Sequence, residues 1–244
     1  MLEKKKHRIL QGEFVAEGPK VVGDLLFTMR PKCIYATDSW ISSHSDLQFD
    51  KCVEVTEIEL KRISFLQHPQ DVLATFPLPD TTENLEESVS KIKKNICLAL
   101  DGVQDPGNLG TIIRVADWFG VDTIYCSYDT ADAYNPKVVQ ATMGSISRVK
   151  MIYTDLVSLT DSMSADIGLY GTFLDGENLW DSHLGNSGLI IMGNEGNGIS
   201  PLLASRLRNK LLIPPYPPGQ NTAESLNVAV ATALCLAEFR RRQR

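Results

Sequence analysis

Three short polar segments hold the side chains that are best suited to binding or proton chemistry. These side chains are Asn108 and Arg114 in the first segment, Glu195 in the second, and Ser225 and Asn227 in the third. A guanidinium group with a carboxylate, amides and a hydroxyl can hold a phosphate or stabilise negative charge that develops on an oxygen atom. No histidine lies in any of the segments, so an imidazole base is not expected there.

Each polar segment follows a largely apolar run that is typical of a strand. The runs are 96–100, 189–192 and 210–213, and each is too short for a typical helix. Continuous apolar runs fit strands of a sheet that is covered on both faces. Turns after such strands lie at the carboxyl edge of the sheet, where α/β proteins bind their ligands. The glycines between 193 and 198 also allow that turn to bend sharply or to approach a ligand closely.

Two helices are expected to position the first and third segments. The apolar residues at helical spacing in the first helix are Ile112, Val115, Ala116 and Phe119. Gly120 is placed to end this helix. Before the last helix, Ser225 is a plausible N-cap. The helix itself is apolar nearly all round from 228 to Glu238, which indicates burial within its own domain or in a subunit interface.

Each candidate side chain also has a purely structural interpretation. Arg114 lies one turn from Asp117, with which it could form a surface ion pair of little energetic value. Glu195 could be a solvated residue of a tight turn. Ser225 and Asn227 could serve only to cap the last helix.

The chain is expected to form two units. With 43% hydrophobic residues among 244, it can bury a substantial core. Short strand-like and helical stretches predict a small α/β domain over residues 1–76. Prolines followed by mixed charges predict a linker at 77–95. From 96 to 244, strand-like runs alternate with helical patterns, which predicts a parallel sheet with helices on both faces.

Composition and motif content exclude several classes of protein. The five cysteines are scattered without the paired spacing of a disulfide framework or a zinc site, so we expect them to be reduced and the protein to be cytoplasmic. The N-terminal region lacks an apolar run long enough for a signal peptide or a membrane span. The dinucleotide fingerprint and the P-loop are absent, so a classical NAD or ATP site is not expected.

Basic residues are clustered although the formal net charge is -6. The clusters lie at 4–8, 206–210 and 240–244. The net charge argues against non-specific binding of nucleic acid, whereas each cluster could be a local RNA contact or a solvated face. For the C-terminal cluster, the helix dipole alone favours cations.

The three polar segments, in this order, resemble the motifs of the SpoU (TrmH) branch of the SPOUT class of RNA methyltransferases. The resemblance covers about 96–240, with motifs at 108–114, 193–198 and 225–230. Residues 14–20 also resemble the start of the family's RNA-binding N-terminal domain. The segment 132–149 fits an intervening family segment, but Gln140 stands where members often carry arginine. One expected contact with an RNA phosphate is therefore not supported at that position.

This resemblance implies a function, a fold and a set of partners. It implies transfer of a methyl group from S-adenosylmethionine to a ribose 2′-hydroxyl of structured RNA, with rRNA favoured over tRNA. It also implies a homodimer and a C-terminal trefoil knot, which sequence physics alone would not suggest because knots are nearly absent from proteins. No metal is expected, and the four histidines show no metal-binding spacing.

The resemblance also assigns roles to the motif residues. Asn108 and Glu195 would orient Arg114 and the ribose, and Ser225 and Asn227 would complete the site. The cofactor would lie against backbone groups at Gly193, Ile213 and Leu226, the residues assigned to its binding by motif position.

Two questions stay open at the level of sequence. Arg114 is the family's candidate for activating the hydroxyl, yet arginine stays protonated in almost any protein, so a clamp on phosphate or on the developing alkoxide is favoured over a general base. A catalytically silent RNA-binding relative is the alternative function. A Rossmann-type methyltransferase of small molecules is a further one, but the cofactor-like turns come too late in the chain for it.

Overall fold

The computed structural model describes residues 2–45, 49–217 and 223–243. Its helices are α1 (Lys5–Gln11), α2 (Pro19–Leu26), α3 (Asp38–Ser43), α4 (Glu57–Ile63), α5 (Leu85–Lys94), α6 (Pro106–Trp118), α7 (Pro136–Ala141), α8 (Leu156–Asp161), α9 (Pro201–Ala204) and α10 (Val228–Arg241). Its strands are β1 (Glu13–Glu17), β2 (Cys33–Ala36), β3 (Cys52–Glu54), β4 (Val72–Pro77), β5 (Ile96–Leu100), β6 (Thr123–Cys126), β7 (Lys150–Tyr153), β8 (Leu169–Asn178), β9 (Gly188–Met192) and β10 (Asn209–Leu212). Residues 218–222, in the proline-rich segment before the last helix, and Arg244, in the C-terminal basic cluster, lie outside the described residues.

The chain divides into two compact units. The N-terminal unit comprises Met1–Asp80 and Asp132–Arg148, and the C-terminal unit comprises Thr81–Ala131 and Val149–Arg244. The segment 132–148 thus differs from the predicted assignment to the second domain. Within the N-terminal unit, the ring of Tyr134 packs against Phe14 with centroids 5.0 Å apart, and the buried Arg8 donates a 2.5 Å hydrogen bond to Asp132. Such contacts join residues more than a hundred positions apart, which local patterns do not reveal.

A six-stranded sheet forms the centre of the C-terminal unit. Its order is β10-β8-β9-β5-β6-β7, and every pair is parallel. All five residues of β5 and all five of β9 are buried, as expected for central strands covered on both faces. The predicted parallel sheet is therefore confirmed, and the turns after β5, β6 and β9 lie together at its carboxyl edge.

The N-terminal unit has a smaller mixed sheet. Its strand order is β1-β4-β2-β3, in which β4 is antiparallel to both neighbours and β2 is parallel to β3. Phe14, Ile34 and Phe76 are fully buried in this unit. Strand-like apolar runs of the sequence at 33–36 and 72–76 correspond to β2 and β4.

The predicted linker at 77–95 is wrong for its second half, which forms helix α5. Asn84 caps this helix by accepting a hydrogen bond from the backbone N–H of Glu87 at 2.8 Å. The side chain of Ile92 is fully buried beside strands of the C-terminal sheet. A charged helix with only a few inward apolar positions resembles a linker in composition, which explains the error.

None of the helices formed by the described residues is both long and apolar enough to cross a membrane.

Candidate active site

Asn194 joins the turns that follow β5 and β9. Its side-chain Nδ2 donates to the carbonyl oxygen of Gly102 at 2.6 Å. Its Oδ1 accepts from the backbone N–H groups of Gly196 and Asn197 at 2.9 and 3.0 Å. The backbone of Asn194 also exchanges two 2.9 Å hydrogen bonds with Gly198. Asn194 was not among the predicted site residues, although an amide at the start of a glycine-rich turn is a recognisable signal.

Position 193 requires glycine, because its own turn leaves no room for a side chain. A Cβ atom at this position would overlap the backbone of Gly198 and Ile199, with the carbonyl oxygen of Gly198 only 2.6 Å away. The sequence suggested that this glycine allows close approach of a cofactor. The close approach that the structure describes is instead to the chain's own backbone.

Glu195 is anchored to the turn after β5 by three donors. Its Oε1 accepts from Asn108 Nδ2 at 3.0 Å and from the backbone N–H of Asp105 at 3.3 Å, and its Oε2 accepts from the backbone N–H of Gln104 at 3.4 Å. Partial burial opposes ionisation, but the hydrogen bonds from Asn108 and the backbone outweigh it and lower the pKa of Glu195. The side chain is therefore an anion at neutral pH.

Asn227 extends this network to the last helix. Its Nδ2 donates to Asn108 Oδ1 at 2.8 Å, while its Oδ1 accepts from the backbone N–H groups of Ala229 and Val230 at 2.9 and 3.3 Å. Asn227, not Ser225, is thus the N-cap of α10, and the predicted cap at Ser225 is wrong. The cap residue is the one whose carbonyl begins the helical ladder, and Ser225 lies two residues too early.

The side chains of Arg114 and Ser225 are exposed and make no hydrogen bond or ion pair with any of the described residues. The expected contact between Glu195 and Arg114 is not present, and neither is the ion pair of Arg114 with Asp117. Six residues along a helix correspond to a rise of about 9 Å and a rotation of about 240°, so Asn108 and Arg114 lie on different sides of α6. The structure brings together Asn108, Glu195 and Asn227, and leaves Arg114 available to a ligand.

Ile213 and Leu226 have features that fit a nucleoside-like cofactor. None of the hydrogen bonds among the described residues uses the backbone of either residue. The side chain of Leu226 is 50% exposed, which is unusual for leucine. Free N–H and C=O groups beside an apolar surface can recognise the edge and the face of an adenine ring. Within the described residues, no group of three or more potential metal ligands is close enough to hold an ion.

Many arginines of the predicted basic clusters form hydrogen bonds or ion pairs with other groups of the chain. Arg240 donates to the carbonyl oxygens of Phe119 and Gly120 at 2.7 and 2.9 Å, at the end of α6. Arg242 donates to the carbonyl oxygen of Leu179 at 3.2 Å. The other arginines used in this way are Arg8, which is buried, Arg206, which pairs with Asp161, and Arg208, which bonds carbonyl oxygens after α8. These arginines satisfy backbone carbonyls or carboxylates, so they are not free to bind RNA phosphates.

Comparison with known protein families gives two matches. Residues 95–237 match the model of the SpoU rRNA methylase family. Residues 1–74 match the model of an MRM3-like substrate binding domain.

Relatives and solved structures extend the similarity over nearly the whole chain. The 23S rRNA (guanosine(2553)-2'-O)-methyltransferase RlmP of Bacillus subtilis (strain 168) is 32% identical over 243 residues, which span 98% of this chain and 93% of the relative. A TrmH-family protein from Porphyromonas gingivalis is 38% identical, with a TM-score of 0.87 and coverage of 99% of this chain and 94% of that one. An AdoMet-bound rRNA methyltransferase from Sinorhizobium meliloti is 30% identical, with a TM-score of 0.84 and coverage of 100% and 92%.

Proposed function

Because the chain belongs to the SpoU rRNA methylase family, as its three motifs predicted, we propose that it transfers a methyl group from S-adenosylmethionine to the ribose 2′-hydroxyl of a guanosine in 23S rRNA. The observation that carries this proposal is the series of hydrogen bonds from Glu195 through Asn108 to Asn227, which joins all three motifs at one edge of the sheet. A catalytically silent RNA-binding relative would have no need of this arrangement together with an unpaired Arg114. The similarity of the Bacillus relative supports rRNA, rather than tRNA, as the substrate.

The residues of the site have different proposed roles in the reaction, according to their chemistry. S-Adenosylmethionine supplies an electrophilic methyl group when it is bound. The backbone of Ile213 and Leu226, with the turn at Gly193, would hold it beside the motif residues. Ser225, which is exposed next to Leu226, offers a hydroxyl to the ribose or to the cofactor. An in-line approach of the 2′-oxygen is then a matter of positioning, which is a large source of rate acceleration.

Arg114 acts as a clamp on the RNA in this proposal. Its guanidinium stays protonated and has no partner among the described residues, so it can hold a phosphate or the oxygen on which negative charge develops. Glu195 is poorly suited to remove the proton, because its oxygens already accept from three donors and its pKa is lowered. The proton of the 2′-hydroxyl passes instead to a neighbouring phosphate or to water.

The replacement Arg114→Ala tests the proposed activity and the role of this residue. We expect transfer of tritiated methyl groups to an unmodified 23S rRNA transcript to fall by at least about a hundredfold in kcat/KM, since a donor to developing charge is lost. Binding of S-adenosylmethionine, measured by calorimetry, should change by less than a few-fold.

A matched control lies one turn earlier on the same helix. Thr111 is exposed, and its hydroxyl only donates to the carbonyl oxygen of Gly107 at 2.8 Å. Thr111→Ala should therefore keep kcat/KM within about twofold, as surface changes usually do. Full activity of Arg114→Ala would mean that the first motif is wrongly assigned.

We also infer that two copies of the chain associate through α6 and α10, which contact each other in the C-terminal unit. Trp118 on α6 is 85% exposed and Val230 on α10 is 50% exposed. Leu234 and Ala237 continue the line from Val230 at helical spacing and are not fully buried. A continuous apolar stripe of this kind is typical of an interface.

The remaining inferences follow from the family. We propose that the N-terminal unit binds structured RNA, in keeping with its match to a substrate binding domain. We propose that the path of α10 completes the trefoil knot of the SPOUT class. The five free cysteines support a cytoplasmic location, since four of them are buried as reduced thiols.

A further inference from the structure

The turn that follows β6 presents an aromatic ring to solvent beside the first motif. The backbone N–H of Thr130 donates to the carbonyl oxygen of Ser127 at 3.1 Å, which closes a tight turn. Tyr128 lies at the tip of this turn and is 71% exposed. Its hydroxyl makes no hydrogen bond with any of the described residues, and its ring makes no aromatic contact with them. Packing against the described residues therefore does not account for a tyrosine at this position.

The turn is held rigidly against the turn after β5. The hydroxyl of Ser127 accepts from the backbone N–H of Gly102 at 2.8 Å, and the hydroxyl of Thr130 donates to the carbonyl oxygen of Leu100 at 3.0 Å. The backbone N–H of Ala131 donates to the carbonyl oxygen of Val103 at 2.9 Å. Tyr128 is thus presented on a fixed support, and a ring with only two rotatable bonds loses little entropy when it contacts a ligand.

The same support carries the site residues. The carbonyl oxygen of Gly102 accepts the hydrogen bond from Asn194, the residue that precedes Glu195. One residue, Gly102, is therefore bonded to the turn of Tyr128 on one side and to the turn of Glu195 on the other. The turn that carries Tyr128 therefore lies beside the turns that carry the motif residues.

The local charge favours a base over a phosphate at this ring. Asp129 follows Tyr128, is exposed, and directs its carboxylate towards Gly102, where a Cβ atom would lie 3.1 Å from Oδ2. A carboxylate repels a phosphate, whereas the uncharged face of a nucleobase can still stack on the phenol ring. Building on the proposed function, we propose that Tyr128 stacks on an unpaired base of the RNA substrate next to the methylated nucleotide, and so helps to select its site.

Three variants separate stacking from other roles of the ring. Tyr128→Ala and Tyr128→Leu remove the aromatic face, and Tyr128→Phe keeps it. With an unmodified 23S rRNA transcript and tritiated S-adenosylmethionine, we expect the first two to raise KM for the transcript about tenfold, and Tyr128→Phe to stay within about twofold. Binding of S-adenosylmethionine should be unchanged in all three.

Leu174 provides a matched control. It is 73% exposed in the same unit but is not part of the three turns, so Leu174→Ala should leave KM unchanged. Unaltered kinetics in Tyr128→Ala, or equal losses in Tyr128→Phe and Tyr128→Ala, would overturn the proposal. So would unaltered RNA affinity together with a change in sedimentation, because the ring would then pack against a second copy.

Failure of the proposed function gives a different result. In that case the unchanged protein would not methylate the transcript at all. Affinity for the same transcript, measured by gel shift, still tests the ring: weaker binding of Tyr128→Ala than of Tyr128→Phe supports stacking, and equal binding refutes it.

Discussion

The side-chain amides of Asn108 and Asn227 are hydrogen-bonded to each other. Asn108 donates to Glu195 and accepts from Asn227, so both ends of its side chain are used. The sequence suggested that Asn108 and Glu195 orient Arg114, but in the structure they fix the relative positions of the three motif turns. Asn194 adds the bond to Gly102 that the motif pattern did not reveal. These residues thus hold the three motif turns together, and Arg114 has no partner among the described residues, as its proposed contact with the substrate requires.

Asn194 is therefore expected to be a positioning residue. Asn194→Ala removes the bond to Gly102 and the two bonds that shape the glycine-rich turn, at a cost of about 1–3 kcal/mol in the free energy of unfolding. We expect kcat to fall at least about tenfold, because misplacement of catalytic groups is costly, while KM for the transcript changes little.

Asn194→Asp serves as the comparison for this residue. It keeps the acceptor for Gly196 and Asn197 but places a carboxylate against the carbonyl oxygen of Gly102. Its activity should fall like that of the alanine variant if the bond to Gly102 is the important one. Activity close to that of the unchanged protein in both variants would contradict a positioning role.

At the scale of elements, a buried carboxylate connects α5 to the C-terminal sheet. Glu83 accepts from Lys150 at 2.8 Å, from Ser88 at 2.9 Å, from Tyr125 at 3.2 Å and from Lys91 at 3.2 Å. Its side chain is only 5% exposed. These contacts link the start of α5 with β6 and β7, which explains why the segment taken for a linker is an ordered part of the fold.

This cluster predicts a pH dependence of stability. Burial opposes ionisation of Glu83, but hydrogen bonds from Lys150, Ser88 and Lys91 outweigh it and lower its pKa from 4.5 to about 2. A lowered folded-state pKa gives stability that is present above the unfolded value and is lost as the pH falls towards the folded one. The difference in free energy of unfolding between the unchanged protein and Glu83→Gln should therefore be largest at neutral pH and shrink from about pH 4.5 down to about pH 2.

Urea unfolding at a series of pH values measures this difference. Glu86, which is exposed on the first turn of α5, offers a control, and Glu86→Gln should show a small difference at every pH. A difference for Glu83→Gln that is independent of pH would mean that the carboxylate is not ionised in this cluster.

In the molecule as a whole, the last helix has one buried and one exposed side. One side, which includes Thr232, Cys235 and Phe239, is buried within the C-terminal unit. The opposite side carries Val230 and Leu234 towards solvent. The sequence showed only that α10 is apolar nearly all round, and left open whether its own domain or a second subunit covers it. The proposed association of two copies would cover this exposed side.

Val230→Glu tests the proposed association. A charge in the middle of an apolar interface is strongly unfavourable, so we expect the sedimentation coefficient to fall to that of a single chain. Circular dichroism should stay unchanged because the position faces solvent in the single chain. Ile58→Glu, at a residue that is 69% exposed in the N-terminal unit, should leave the sedimentation unchanged. Association that survives Val230→Glu would place the interface elsewhere.

Short-range patterns of the sequence predicted part of the C-terminal unit, and its motifs predicted the family. Strands β5, β9 and β10 and helix α6 follow from short-range apolar patterns, which depend only on neighbouring residues. Three spaced motifs were enough to predict the family and its chemistry. The folded chain is needed to show which motif groups bond to each other, which arginines bond the ends of helices, and to which unit residues 132–148 belong. Those features depend on contacts such as Asn194 to Gly102, which are 92 positions apart, and Arg8 to Asp132, which are 124 positions apart. Local sequence patterns do not show which distant residues come into contact.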